Sequence, residues 1–122
     1  MVTSDVHIGV DIVEVERIGE VVRSRSILER TFTPGEVAYC NKKIRPLIHF
    51  AGRFAGKEAL IKAFSNHGVT LHMSEIEIIN DEKGIPTASI LRELDNTYVV
   101  EVSISHTERH AVGMALVKAE RT

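Results

Sequence analysis

Aliphatic residues take every second position near the start of this chain, at Val6, Ile8, Val10 and Ile12, with His7, Gly9 and Asp11 between them. That period of two predicts a strand with one aliphatic face, from which Asp11 points away. The spacing then becomes helical: Val15, Ile18, Val21 and Val22 fall on one side, Glu14, Glu16, Arg17, Glu20 and Arg23 on the other. Asp11 thus sits where a strand opens into a helix, a common ligand position in α/β proteins, although a lone aspartate there is more often a helix cap. Residues 24–26 read as a short polar link. Thr33-Pro34-Gly35-Glu36 predicts a helix start, with Thr33 as N-cap, Pro34 in the first turn and Glu36 three residues on, the helix running to Cys40 or Asn41. Pro46 marks a break before the next helix.

The longest helical pattern spans residues 50–64. Phe50, Phe54, Ile61 and Phe64 form one apolar stripe, while Gly52, Gly56, Ala59 and Ala63 fall together elsewhere. Glycine and alanine in such a stripe lower helicity and imply close approach of a strand or another helix. Glu58 and Lys62 are neighbours on the helix surface, and Arg53 and Lys57 form a second such pair bordering the aromatic stripe. Charges between packed faces are costly unless they meet partners or ligands, and a solvated helix edge is the bland alternative. Beyond a turn at 65–68, strands are predicted at 75–79 and 87–91 around a turn at 80–84, then at 98–104 and 111–117 around a turn at 106–109.

Composition narrows the function. At 122 residues the chain is one domain, 1–122, and with 5% aromatics and no Trp its core is aliphatic. Fifteen basic against 17 acidic residues carry no nucleic-acid signature, although Arg17, Arg23, Arg25 and Arg30 form a local patch able to steer an acidic partner. The lone Cys40 fits a reducing compartment. No signal-like or membrane-spanning stretch is evident, and a soluble cytoplasmic protein is expected.

Taken together, GVDIVEVERI (9–18), FTPGEVAYC (32–40), FAGRFAGKEALIKAF (50–64), DEKGIP (81–86) and VSISHTERHAVGMAL (102–116) resemble holo-acyl-carrier-protein synthase, the short 4′-phosphopantetheinyl transferase family. Each block alone is a weak signal, and their occurrence in order is a strong one. The resemblance implies an α+β fold with a mostly antiparallel sheet packed on a long central helix. It implies transfer of the 4′-phosphopantetheine arm of coenzyme A to a serine of apo-acyl carrier protein, leaving adenosine 3′,5′-bisphosphate. By motif, Asp11 and Glu58 become ligands of Mg²⁺, and Lys62 faces the pyrophosphate. A metal-bound water assisted by Glu58 or Asp11 is the expected route for the serine proton. His106 and Thr107 meet the nucleotide end of coenzyme A, Gly84 and Pro86 its adenine side from a neighbouring subunit. Arg53, by motif, and Arg45, by position, are phosphate or partner contacts. The resemblance further implies a homotrimer with sites between subunits, and a first helix that receives the acidic carrier protein through Arg17, Arg23 and Arg25. Residues 65–68 depart from the family's glycine-rich loop, Gly56 stands where many members have alanine, and the 91–98 link is too short for the helix of longer relatives. The rival reading is a non-catalytic nucleotide-binding or scaffold module of the same fold.

Overall fold

The computed structural model describes residues 5–120. Strand β1 (Val6–Glu14) runs directly into helix α1 (Val15–Arg23). Helices α2 (Arg25–Thr31), α3 (Pro34–Asn41) and α4 (Pro46–Ser65) follow, then a single 3-10 turn (Met73–Glu75) and strands β2 (Ile76–Asn80), β3 (Pro86–Ile90), β4 (Tyr98–His106) and β5 (His110–Ala119). The strands divide into two antiparallel sheets, β1-β5-β4 and β2-β3.

The strand ends shift by one or two residues from the sequence reading, and two helix boundaries differ more. The polar link at 24–26 lies at the start of helix α2, whose Ser24 cap accepts a hydrogen bond from the Ile27 amide at 3.5 Å. Seven residues are too few to display a hydrophobic period, so the sequence shows only a polar link there. Helix α4 begins at Pro46, four residues ahead of the aromatic stripe. Proline has no N–H to lose in a first turn, so here it opens the helix. The Thr33–Glu36 capping box forms as expected.

Helix α4 crosses the three-stranded sheet with its small residues inward. A Cβ added to Gly9 of β1 would collide with the Ala59 carbonyl, and one added to Gly113 of β5 with the backbone of Ala55 and Gly56. Gly52 and Gly56 admit Ile104 and Val102 of β4 in the same way. The glycine and alanine stripe is therefore a seat for strands. Gly9→Ala is expected to cost about 1–3 kcal/mol, because the obstacle is backbone and the strand itself must shift. A lowered urea midpoint with unchanged slope is the check.

The aromatic side of α4 carries a charge deep into the fold. Lys57 is fully buried, and its Nζ donates to Glu36 Oε1 and to the Thr31 carbonyl, each at 2.7 Å. Glu36 Oε2 accepts from the Ile78 amide at 2.7 Å, and Oε1 closes the capping box through the Thr33 amide at 2.9 Å. One carboxylate thus ties α3, α4 and β2 together. Arg53 and Lys57 do not form the surface pair read from their spacing. Lys57 turns to Glu36 and Arg53 to Asn80, because burial leaves each cation no water to fall back on.

Register decides which way β1 faces. Val10 lies opposite Met114 and Asp11 opposite Gly113. Gly9 and Asp11 face the helix, while Ile8, Val10 and Ile12 are 60, 60 and 65% exposed and lie beside Met114, itself 48% exposed. The aliphatic face of the first strand is on the outside of the chain.

Candidate active site

Asp11 and Glu58 meet along the border between β1 and α4. Strand alternation turns Asp11 toward the helix, and Gly113, its partner on β5, leaves room for α4 to come close. Burial raises the Glu58 carboxyl above its ordinary range, the nearby Asp11 charge raises it further, and Lys62 opposes both. Lys62, one turn beyond Glu58, donates to Asp11 Oδ1 at 3.2 Å and to the Val10 carbonyl at 2.9 Å. Its side chain stays half-exposed. Two carboxylates and an ammonium, with no imidazole or thiolate among them, form a hard-oxygen donor set. That set suits Mg²⁺, which keeps several waters and needs only one or two protein carboxylates beside substrate phosphates. Among the described residues no cluster of three or more His, Cys, Asp or Glu side chains is placed to hold a metal, so a cation here has to share its coordination with substrate and water.

A cleft of about 460 Å³ opens further along β1, lined by Ile12, Val13, Glu14, Arg17, Ile18, Val21, Phe54 and His110 and by none of Asp11, Glu58 and Lys62. Phe54 is one helical turn before Glu58, so cleft and carboxylate share a face of α4. Arg23 is exposed nearby, and Arg25 is held by Glu29 at 3.2 Å.

The remaining candidates gather around Arg53. Arg53 is 3% exposed, and its guanidinium donates through Nη2 to Asn80 Oδ1 and stacks 4.3 Å from the centre of the Tyr39 ring. Asn80 Nδ2 donates to the Gly84 carbonyl at 3.0 Å, which links Arg53 to the β2-β3 turn, and Pro86 opens β3 opposite Asn80. Gly84 adopts φ +82°, a conformation that glycine reaches without strain. On the other side His49 bridges Tyr39 to His106, which lies at the end of β4. The Thr107 hydroxyl accepts from the Arg109 and His110 amides and shapes the β4-β5 turn. Arg45 pairs with Glu108 of that turn at 3.4 Å. Sequence reasoning missed Tyr39, Lys43, His49 and Asn80. The i, i+4 spacings of Tyr39 with Lys43 and of His49 with Arg53 were the available signal.

The two groups do not meet within one chain. Arg53 and Glu58 are five residues apart on α4, which sets them about 140° apart around the helix axis. Cys40 belongs to neither group: it is buried, and burial pushes its thiol up to about 12, so it carries no nucleophilic role.

Comparison with known proteins identifies the scaffold. Residues 7–115 match the 4′-phosphopantetheinyl transferase superfamily. The chain belongs to that family. It is an enzyme that transfers a 4′-phosphopantetheinyl group. The transferase is 41% identical over 120 residues to a holo-[acyl-carrier-protein] synthase of Chlorobium limicola, covering 93% of this chain and 94% of the relative. Its fold superimposes with a TM-score of 0.82 on an ACPS-CoA complex of Chronobacterium ammoniagenes, at 27% identity over 95% of this chain and 98% of the other. A holo-(acyl-carrier-protein) synthase of Bacillus anthracis in complex with CoA (3′,5′-ADP) gives 0.77 at 31% identity, covering 93% and 96%. The α+β architecture anticipated from the sequence is the family's fold. Among the described residues no helix is long and apolar enough to cross a membrane.

Proposed function

We propose that this transferase moves the 4′-phosphopantetheine arm of coenzyme A onto a serine of apo-acyl carrier protein, with Mg²⁺ bound by Asp11 and Glu58. The reaction site is completed between copies of the chain, and the protein works in the cytoplasm as a homotrimer. The observation that carries this reading is the separation of the two groups around α4. One face offers Asp11, Glu58 and Lys62, the other offers Arg53, Gly84, Pro86, His106, Thr107 and Arg45. A coenzyme A molecule whose diphosphate meets the first group reaches the second on a neighbouring copy. The exposed Ile8, Val10, Ile12 and Met114 supply the apolar surface for such a neighbour.

Bound Mg²⁺ would neutralise charge on the diphosphate as the phosphate–oxygen bond breaks. Lys62 supplies a second cation for the same oxygens. Glu58 or Asp11 would take up the serine proton through a water between them and the hydroxyl. The cleft further along β1 is the path for the serine, and Arg17 on its wall, with Arg23 and Arg25 beyond, meets the acidic surface of the carrier protein. The leaving adenosine 3′,5′-bisphosphate stays with the cationic group around His106.

Subunit complementation tests this. Asp11→Asn and His106→Ala chains are each expected to be impaired at low coenzyme A. Coexpressed, they regain activity in roughly a quarter of the sites, those pairing an intact Asp11 from one copy with an intact His106 from the next. The readout is the mass gained by apo-acyl carrier protein. No recovery in verified mixed assemblies would place both groups in sites within single chains and refute the shared arrangement.

A further inference from the structure

His49 belongs to no motif of the family blocks beyond its place near the start of α4, yet it lies at the centre of the cationic cluster. Its ring stands edge-on to His106, with centroids 6.0 Å apart at 65°, and to Tyr39, at 6.3 Å and 76°. The Tyr39 ring carries two cations, Lys43 at 4.6 Å and Arg53 at 4.3 Å. The groups that act on His49 come from three elements: Arg53 from α4, Lys43 just past α3 and His106 from β4. Burial, and after it Arg53, Lys43 and His106, lowers the His49 imidazole below its ordinary range, which favours the neutral ring. Arg53 supplies an independent sign that a ligand is missing from the balance, since its Nε is buried and has no hydrogen-bond partner. Cations gathered this closely are stable only beside an anion, and a phosphate accepts from several donors at once.

We propose that His49 is a phosphate-binding residue of this transferase: with His106 it receives the ribose phosphate of coenzyme A, and it takes up a proton from solvent as the complex forms. The inference rests on the reading above that His106 faces the nucleotide end of coenzyme A. The dianion reverses the local field, so a ring whose protonation is opposed by burial and by neighbouring cations becomes an imidazolium that donates to the phosphate. Coenzyme A binding and protonation of His49 are then linked, each favouring the other.

Isothermal titration calorimetry of the full chain with coenzyme A and Mg²⁺, between pH 6 and 8 in two buffers of different ionisation enthalpy, reads this linkage. The expected result is net proton uptake and affinity that rises as pH falls, by at most about tenfold per pH unit for one linked proton. Dephospho-coenzyme A, which lacks the ribose phosphate, shows no such linkage. His49→Asn loses the low-pH gain. Histidine NMR of the unaltered protein supplies a reading that needs no variant: the His49 resonance titrates at higher pH once coenzyme A is bound. Coenzyme A binding with buffer-independent heat, or an His49 titration unmoved by the ligand, overturns this proposal and leaves the proposed function standing. Absence of any coenzyme A binding overturns both.

Discussion

Lys57→Met is expected to remove about 3–5 kcal/mol of folding stability, a large fraction of what a domain of this size possesses. Methionine fills much of the same volume, so the loss is not mainly a cavity. It comes from Glu36, whose carboxylate stays fully buried beside β2 and the start of α3 with its cation gone. Glu36 cannot turn to water, because its two oxygens also accept from the Thr33 and Ile78 amides. A double-mutant cycle with Glu36→Gln isolates the pair. The amide still accepts one of those hydrogen bonds without carrying charge, so Lys57→Met costs less in that background than in the wild type. Equal costs in the two backgrounds, measured by urea unfolding, would show that the ion pair contributes nothing specific. The pair also bears on the site, since Lys57 and Glu58 are consecutive on α4. The contact that fixes the helix rotation through Glu36 is the one that turns Glu58 toward β1.

The sequence exposed the parts of this molecule that repeat with a short period. The alternation in β1, the stripes of α4, the capping box at Thr33 and the glycine turn at Gly84 each depend on residues within a few positions of one another. They appear in the structure close to where the spacing put them. Asp11 and Glu58 lie near enough to interact for a related reason: strand alternation turns Asp11 toward α4, and helix periodicity sets the face on which Glu58 stands. Contacts between distant segments were out of reach. Nothing local announces that Lys57 pairs with Glu36, 21 residues away, or that Asn80 bridges Arg53 and the Gly84 turn. Helix α2 was hidden by its brevity. The direction of the β1 aliphatic face was hidden for another reason: period two says that one face is apolar and does not say whether a core or a second copy covers it. The close seat of Gly9 and Gly113 against α4 settles that within the chain, since only small residues fit there and the aliphatic side must turn outward.

Glu58→Gln and Asp11→Asn are each expected to lower turnover by roughly 10²–10⁴-fold while leaving the fold intact. Both substitutions keep the shape of the side chain and remove one negative charge from the pair proposed to bind metal and take the serine proton. Their effects on stability separate a functional site from a structural ion pair. Burial, first, and Asp11, second, raise the Glu58 carboxyl in the folded chain, so the folded state holds that proton more tightly than the unfolded state does. Stability therefore falls as pH rises from the ordinary carboxyl value through the raised one, and at neutral pH the ionised Glu58 is a net cost to folding. In metal-free buffer Glu58→Gln should accordingly melt higher than the wild type, by about 1–3 °C, a modest gain because solvent screens this half-buried group. Below the ordinary carboxyl value both states are protonated and the advantage disappears. Adding Mg²⁺ reverses the order, since only the wild type retains both carboxylates to bind it. A variant that turns over normally, or one that melts lower than the wild type without metal and gains as much from Mg²⁺, would remove Glu58 from the reaction site. The opposite outcome, a chain made more stable and nearly inactive by the loss of one carboxylate, is the signature of charges held together for a ligand.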